Sequence, residues 1–397
     1  MKNTLLLTVG SGTGDKQASL AESICSSILQ HGVDAFILIS SEDEDSQLIA
    51  DMILDRFEEH PIKGHIAANC FPDPFNLQSC RDLLENAILS AQTDGHENLK
   101  LNLTSGTKQM AIGGMMAALS QQVEIVTFIG GQFEQGTIIE GTESIIPVEM
   151  RTFFKQQAIK DSKRLAENGA LWGAVEILIP YNSLISIKNK YQTLSHWQDL
   201  DFPSARQLAS SLPKLRKLNQ YFAECFQTPL PNKISIADMM ASGERLLEWK
   251  SYNDALVRIY QSLESAARDR LQKMAGLKLK GSSYELDAVL AIPGMSQKLS
   301  KKFRTQSFEN NQVVLGQFAL FECLDALGES SGKAYHADRE LIEILRKRNE
   351  FIHTGIPPEP SLVHQIKNRV FDFMHNHYPE IQWQRSKKMW IHSLEAD

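Results

Sequence analysis

Through the first 150 residues, short apolar runs alternate with longer stretches in which apolar side chains return every three or four positions. The runs fall at 4–9, 34–39, 99–103 and 124–129, and the amphipathic stretches at 17–30, 46–56, 77–91 and 108–120. Short continuous apolar runs bounded by Gly, Asp and Asn read as strands buried on both faces; the periodic stretches read as helices that cover them. Repeated strand–helix alternation predicts a doubly wound α/β domain built on a parallel sheet. After residue 129, the segment from Gly130-Gly131 to Pro147-Val148 reads as a hairpin with Glu140-Gly141 near its turn, closing the domain.

From about Thr152 the glycine punctuation nearly disappears and apolar residues recur at helical spacing. Helices are predicted at 163–178, 204–226, 236–249, 252–274, 285–292, 312–327, 338–353 and 361–376. Breaks fall at Pro180, Pro203, Pro229 with Pro231, 276–281 and 328–332. The organisation expected is therefore an α/β domain over 1–150, a helical connector over 151–235 and an all-α bundle over 236–397.

A chain of 397 residues with 42% hydrophobic and 22% charged side chains is long enough for two or three cores. Its net charge of −7 argues against a surface coated for nonspecific nucleic-acid binding, so an RNA contact should be a local pocket. The local exceptions are Arg346-Lys347-Arg348 and the group Lys298, Lys301, Lys302 and Arg304. Cys25, Cys70, Cys80, Cys225 and Cys323 form no CxxC pair and no cluster with histidine, which supports neither a zinc site nor a disulfide framework. No metal is expected at Glu42-Asp43-Glu44-Asp45 either, since consecutive acids at a helix entry suit a solvated first turn. With no signal peptide and no run long enough to span a bilayer, the expected location is the cytoplasm, without a membrane partner. The five tryptophans read as packing residues, and His336, His364, His375 and His377 as surface residues.

Two strand ends carry unusual loops: Gly10-Ser11-Gly12-Thr13-Gly14-Asp15-Lys16 and Thr104-Ser105-Gly106-Thr107-Lys108-Gln109-Met110. In open α/β sheets, ligands bind beyond the carboxyl ends of the strands. Glycines, hydroxyls and a lysine at a helix N-terminus can hold phosphates or ribose hydroxyls with backbone N–H groups. Neither loop matches a common nucleotide fingerprint: Asp15 stands where a dinucleotide fold needs its third glycine, and no Gly-Lys-Ser/Thr ending follows.

Near the end of the chain, Arg348-Asn349-Glu350-Phe351-Ile352-His353 runs directly into Thr354-Gly355-Ile356-Pro357-Pro358, where a helix must stop. Asn349 and His353, four apart, share a helical face, whereas Arg348 and His353, five apart, do not. Their convergence requires either the reach of the guanidinium around the last turn or a second copy of the helix across a dimer axis. The negative end of the helix favours an imidazolium at His353 for proton transfer, and Arg348 suits phosphate oxygens. This is the equipment of RNA cleavage without a metal. On the stretch 252–274, Arg258, Tyr260, Ser262, Glu264 and Ser265 form stripes that would brace that helix or, equally, an exposed ion-pair face.

The Arg-Asn-x-x-x-His element, preceded by Ala255-Leu256-Val257-Arg258-Ile259-Tyr260-Gln261-Ser262-Leu263-Glu264, resembles the HEPN ribonuclease domain. Val9-Gly10-Ser11-Gly12-Thr13 and Leu103-Thr104-Ser105-Gly106-Thr107-Lys108-Gln109-Met110 resemble the CARF sensor domain of type III CRISPR immunity. Ser105 departs from the glycine usual at that place. Together the resemblances cover most of the chain, in the order seen in the effector ribonucleases of the Csm and Csx type. They imply a Rossmann-like CARF domain joined to an all-α HEPN bundle in a homodimer. They further imply cyclic tetra- or hexa-adenylate as allosteric activator and no cofactor. The activator would lie on Gly10, Ser11, Gly12, Thr13, Thr104, Ser105, Gly106, Thr107 and Lys108. Arg348, Asn349 and His353 would cut single-stranded RNA to 2′,3′-cyclic phosphates, leaving DNA intact. Two variations are implied as alternatives: a sensor with a non-catalytic HEPN scaffold, and a CARF domain that also degrades its activator.

Overall fold

The computed structural model describes the chain apart from residues 1–2, 13–15, 97, 124, 132, 135–136, 139–141, 143, 308–309, 355–356 and 397, and apart from the side chains of 133–134, 137–138 and 348–354. It divides into two compact units, Met1–Gln157 and Ala158–Asp397.

The first unit runs β1 (Asn3–Thr8), α1 (Gln17–Gln30), β2 (Ala35–Ile39), α2 (Glu44–Phe57), β3 (Lys63–Ile66), α3 (Leu77–Thr93), β4 (Asn98–Asn102), α4 (Lys108–Ser120), β5 (Ile125–Gly130), β6 (Phe133–Glu134), β7 (Thr137–Ile138) and β8 (Ser144–Glu149). Six strands form one sheet in the order β3-β2-β1-β4-β5-β8, parallel except for β8, which runs antiparallel to β5. The sheet is doubly wound, as the alternation of runs and periodic stretches predicts, and β8 is the closing strand of the expected hairpin. The expected turn at Glu140-Gly141 lies outside the described residues.

Alternation along β1 shows why its run is continuous. Leu6 packs with Ile37, Leu101, Leu84 and Ile88 on one side of the sheet, while Leu5 and Leu7 pack with Phe36, Leu38, Ile28 and Ile53 on the other. Successive strand side chains point to opposite faces, and both faces are covered by helices. The edge strand β3 has no such run, since Lys-Gly-His-Ile keeps a half-exposed pattern. Gly64 is required there because a Cβ would lie 2.0 Å from the Phe36 ring.

The helical remainder comprises α5 (Met150–Glu167), α6 (Leu171–Leu178), α7 (Ile185–Gln198), α8 (Phe202–Ser210), α9 (Arg216–Cys225), α10 (Lys233–Glu248), α11 (Tyr252–Ala275), α12 (Leu286–Leu290), α13 (Gln297–Thr305), α14 (Gln317–Ala326), α15 (Ser330–Ala337), α16 (Arg339–Thr354), α17 (Pro360–His377) and α18 (Trp383–Glu395). A two-stranded ribbon, β9 (Tyr284–Glu285) with β10 (Gln312–Val313), is the one strand pair described among them. None of the described helices is long and apolar enough to cross a membrane.

Several expected helices divide. The stretch 163–178 breaks at Gly169, whose φ of +84° only glycine adopts freely and whose missing Cβ leaves room for the Trp249 ring. The stretch 204–226 breaks at Pro213, which opens a short 3₁₀ turn before α9. The helices α7, α13, α15 and α18 were not anticipated. In α7 the reason is visible: its buried side mixes Lys190, Thr193, Ser195 and Gln198 with Tyr191, Leu194 and Trp197, which blurs the apolar stripe.

Two cores fill this unit. Trp197 packs in one with Tyr221, Phe222 and Trp390, drawing together α7, α9 and α18. The other joins α10, α11, α14 and α17 through Met240, Ile259, Leu263, Phe321, Ile366 and Met374. Of the stripe residues on α11, Arg258 donates to the Gln198 carbonyl on α7 at 3.4 Å, Glu264 pairs with Arg268, and Ser262 donates to the Ile259 carbonyl at 2.7 Å. Each of these contacts lies within α11 or with α7.

Candidate functional site

The two strand-end loops meet. The Ser105 hydroxyl accepts a hydrogen bond from the Gly10 N–H at 2.9 Å, and the Thr8 hydroxyl donates to the Ser105 carbonyl. A Cβ on Gly10 would lie 2.8 Å from the Cα and N of Gly106. Gly106 itself holds φ at +103°, where side chains are strained. This close approach is the reason for glycines at both positions.

The Thr104 and Thr107 hydroxyls are also committed. Thr104 accepts the Ile129 N–H at 2.6 Å. Thr107 caps α4 by accepting the Met110 N–H at 3.2 Å, and its hydroxyl donates to the Pro74 carbonyl. Lys108, Gly106 and Gly12 are exposed, while Gly10, Ser11 and Ser105 are half-buried; Thr13 lies outside the described residues. The loop therefore presents a lysine and backbone N–H groups to solvent, and its hydroxyls hold its shape.

A polar chain beneath the loop, which the sequence reading missed, fixes where it starts. The Asn102 side-chain oxygen Oδ1 accepts the Thr104 N–H at 3.0 Å, and its Nδ2 donates to Ser27 Oγ at 3.1 Å. His31 Nδ1 lies 2.7 Å from the Ser27 carbonyl, which can only accept, so Nδ1 carries the proton. Its Nε2 then accepts from the Thr127 hydroxyl at 2.9 Å. Burial holds the His31 pKa below the usual histidine value, which keeps this arrangement neutral. The available signal was Asn102 itself, a polar residue between Leu101 and Leu103 at the end of β4.

Arg348, Asn349 and His353 fall in the last two turns of α16, and their side chains lie outside the described part of the structure, as do Gly355 and Ile356. Upstream, Leu341 and Leu345 bury into the bundle core. Asp338 receives the Leu341 N–H at 2.9 Å and an ion pair from Arg369 of α17 at 2.8 Å. These contacts seat the front of α16 against α17. No group of three His, Cys, Asp or Glu side chains among the described residues is arranged to hold a metal ion.

Residues 227–377 match the family model of the Csm6 HEPN domain. Among solved structures, the chain is similar to Csm6 of Enterococcus italicus bound to cyclic hexa-2′-fluoro-hexa-dAMP. That match covers 100% of both chains at a TM-score of 0.65 and 12% identity. No curated protein matches the sequence significantly. The matched residues hold all of α10, α11, α16 and α17, helices that build the bundle core and carry the Arg-Asn-x-x-x-His element. Residues 227–377 are therefore similar to the Csm6 HEPN domain, in a chain whose whole fold is similar to that of the Enterococcus italicus protein.

Proposed function

We propose that this protein is an endoribonuclease of type III CRISPR defence, switched on by a cyclic oligoadenylate and acting on single-stranded RNA without a metal ion. The observation that carries the proposal is the placement of Arg348, Asn349 and His353 at the end of one helix inside the segment that matches the Csm6 HEPN domain. In this reading residues 1–150 form the sensor, 151–235 the connector and 236–397 the nuclease. Two copies associate in the cytoplasm, so that each contributes one Arg-Asn-His set to a shared site. The RNA 2′-oxygen attacks the adjacent phosphorus and the 5′-oxygen departs. Paired His353 side chains take the 2′ proton and return one to the leaving oxygen, while Arg348 holds the charge on the phosphoryl oxygens and Asn349 orients them. The products are a 2′,3′-cyclic phosphate and a 5′-hydroxyl, a route closed to DNA, which lacks the 2′-OH.

Cyclic oligoadenylate has the symmetry to span a two-fold axis between sensors. Gly10, Ser11, Gly12 and Thr13 with Thr104, Ser105, Gly106, Thr107 and Lys108 are the proposed lining, with Lys108 and the exposed backbone N–H groups as direct contacts. The test is a fluorogenic single-stranded RNA incubated with protein and chelator, with cyclic tri-, tetra- or hexa-adenylate in separate reactions. One ring is expected to activate, and His353→Ala to lower the rate by about 10²- to 10⁴-fold. Silence with every ring, or full activity of His353→Ala, would overturn the reading.

A further inference from the structure

Within the helical unit, α9, α10, α17 and α18 border a cleft of about 1080 Å³. Of its two lining acids, Asp372 makes no ion pair among the described residues and Glu244 pairs with Lys367 at 3.1 Å and with Lys387 at 3.8 Å, as neighbouring Glu224 does with Arg385 at 2.8 Å. That leaves Lys217 and Lys388, both exposed lining residues with no ion pair among the described residues, beside the exposed imidazoles of His375 and His392. In a chain of net charge −7, this surplus of cations is a local departure.

One further feature of the cleft offers donors without acceptors. The helix α18 starts in it at Trp383, with no side-chain cap and no acid in its first turn. The Trp383 indole N–H is shielded from solvent and has no partner among the described residues. Trp383 packs edge-on against Phe371, giving the lining an aromatic wall. Donors, cations and an aromatic wall in one concavity are the equipment for a single nucleic-acid strand. The location agrees: α17 packs against α16, and Phe371 lies eleven residues into α17 from Pro360, about 16 Å along the helix by its rise per residue.

We propose that this cleft is an accessory RNA-binding groove, which holds phosphates of the single-stranded substrate away from the bond that is cut. The groove rests on the ribonuclease reading and deepens it. Lys217 and Lys388 contact the phosphates, and the uncapped start of α18 adds neutral donors.

The experiment measures binding of a fluorescein-labelled single-stranded RNA to full-length His353→Ala protein by anisotropy across a salt series. Adding Lys217→Ala and Lys388→Ala should weaken binding about tenfold near physiological salt and reduce the slope of log K against log salt by about 1.4, two contacts at 0.7 each for a single strand. A matched pair at exposed lysines outside the cleft lining, Lys163→Ala with Lys278→Ala, should change affinity less than twofold. Affinity and slope unchanged by the cleft pair, or reduced equally by the remote pair, would overturn the groove. Cleavage is read separately on the protein with His353 intact. No cleavage with any ring ends the ribonuclease reading, whereas cleavage with RNA binding indifferent to Lys217 and Lys388 ends the groove alone.

Discussion

Ser105 stands where the CARF pattern has glycine, and its added hydroxyl has a structural use: it receives the Gly10 N–H and ties the two candidate loops together. From the sequence, that hydroxyl read as an addition to the ligand pocket; in the fold it closes a gap between backbones. Ser105→Gly should leave the Gly10 amide without its acceptor, a loss of about 1 kcal/mol for a half-buried group. Hydrogen exchange at that amide should speed up about fivefold, and unchanged exchange would mean the bond does not hold the loops. Gly10→Ala should cost more, about 1–3 kcal/mol, because its Cβ would press on the Gly106 backbone with no flexible side chain to yield.

Among elements, α10 is held to α9 and α18 by one buried carboxylate. Asp238 accepts from the Tyr221 hydroxyl at 2.7 Å and from the Ser386 hydroxyl, and neither helix partner can be inferred from spacing along the chain. Arg245, two turns further along α10, stacks over the Trp390 ring at 3.9 Å and donates to Gln198 at 2.9 Å. Burial raises the Asp238 pKa to about 6, against the hydrogen bonds and the Arg245 charge that lower it. A carboxyl whose folded pKa lies above its unfolded value of about 3.9 binds its proton more tightly when folded. Its favourable contribution is therefore complete below about pH 4 and disappears as pH rises through 6. The helical unit should lose stability over that window, on the order of 3 kcal/mol from this group. Asp238→Asn should remove that slope from urea midpoints followed by fluorescence of nearby Trp197 and Trp390. A variant with the wild-type slope would show that another group titrates.

For the molecule as a whole, the proposed switch joins a ligand site in one compact unit to a nuclease in the other, and thermodynamic linkage makes the coupling testable without chemistry. If the activating ring strengthens RNA binding to the His353→Ala protein, RNA must strengthen ring binding by the same factor, and typical couplings are about 5- to 150-fold. Calorimetric titration of the ring, with and without saturating RNA, measures that factor, and sedimentation of the same samples reads the expected dimer. Equal ring affinity in both titrations would remove allosteric control of RNA binding and leave control of the catalytic step alone.

Residues 4–9 and their counterparts revealed the parallel sheet because buried strands must be apolar on both faces, a demand local enough to read along the chain. The same holds for α16, whose ending is written in Gly355 and Pro357 and whose Arg348, Asn349 and His353 carry their chemistry as residue types. Tertiary structure alone decided the rest. Only folding brings Ser105 to Gly10, Asn102 to Ser27, Asp238 to Ser386 and Lys217 to Lys388, pairs separated by 75 to 171 positions. Periodicity records which side of an element is buried. It does not record what waits there, because polar partners meet across helices and strands at distances that no local pattern encodes.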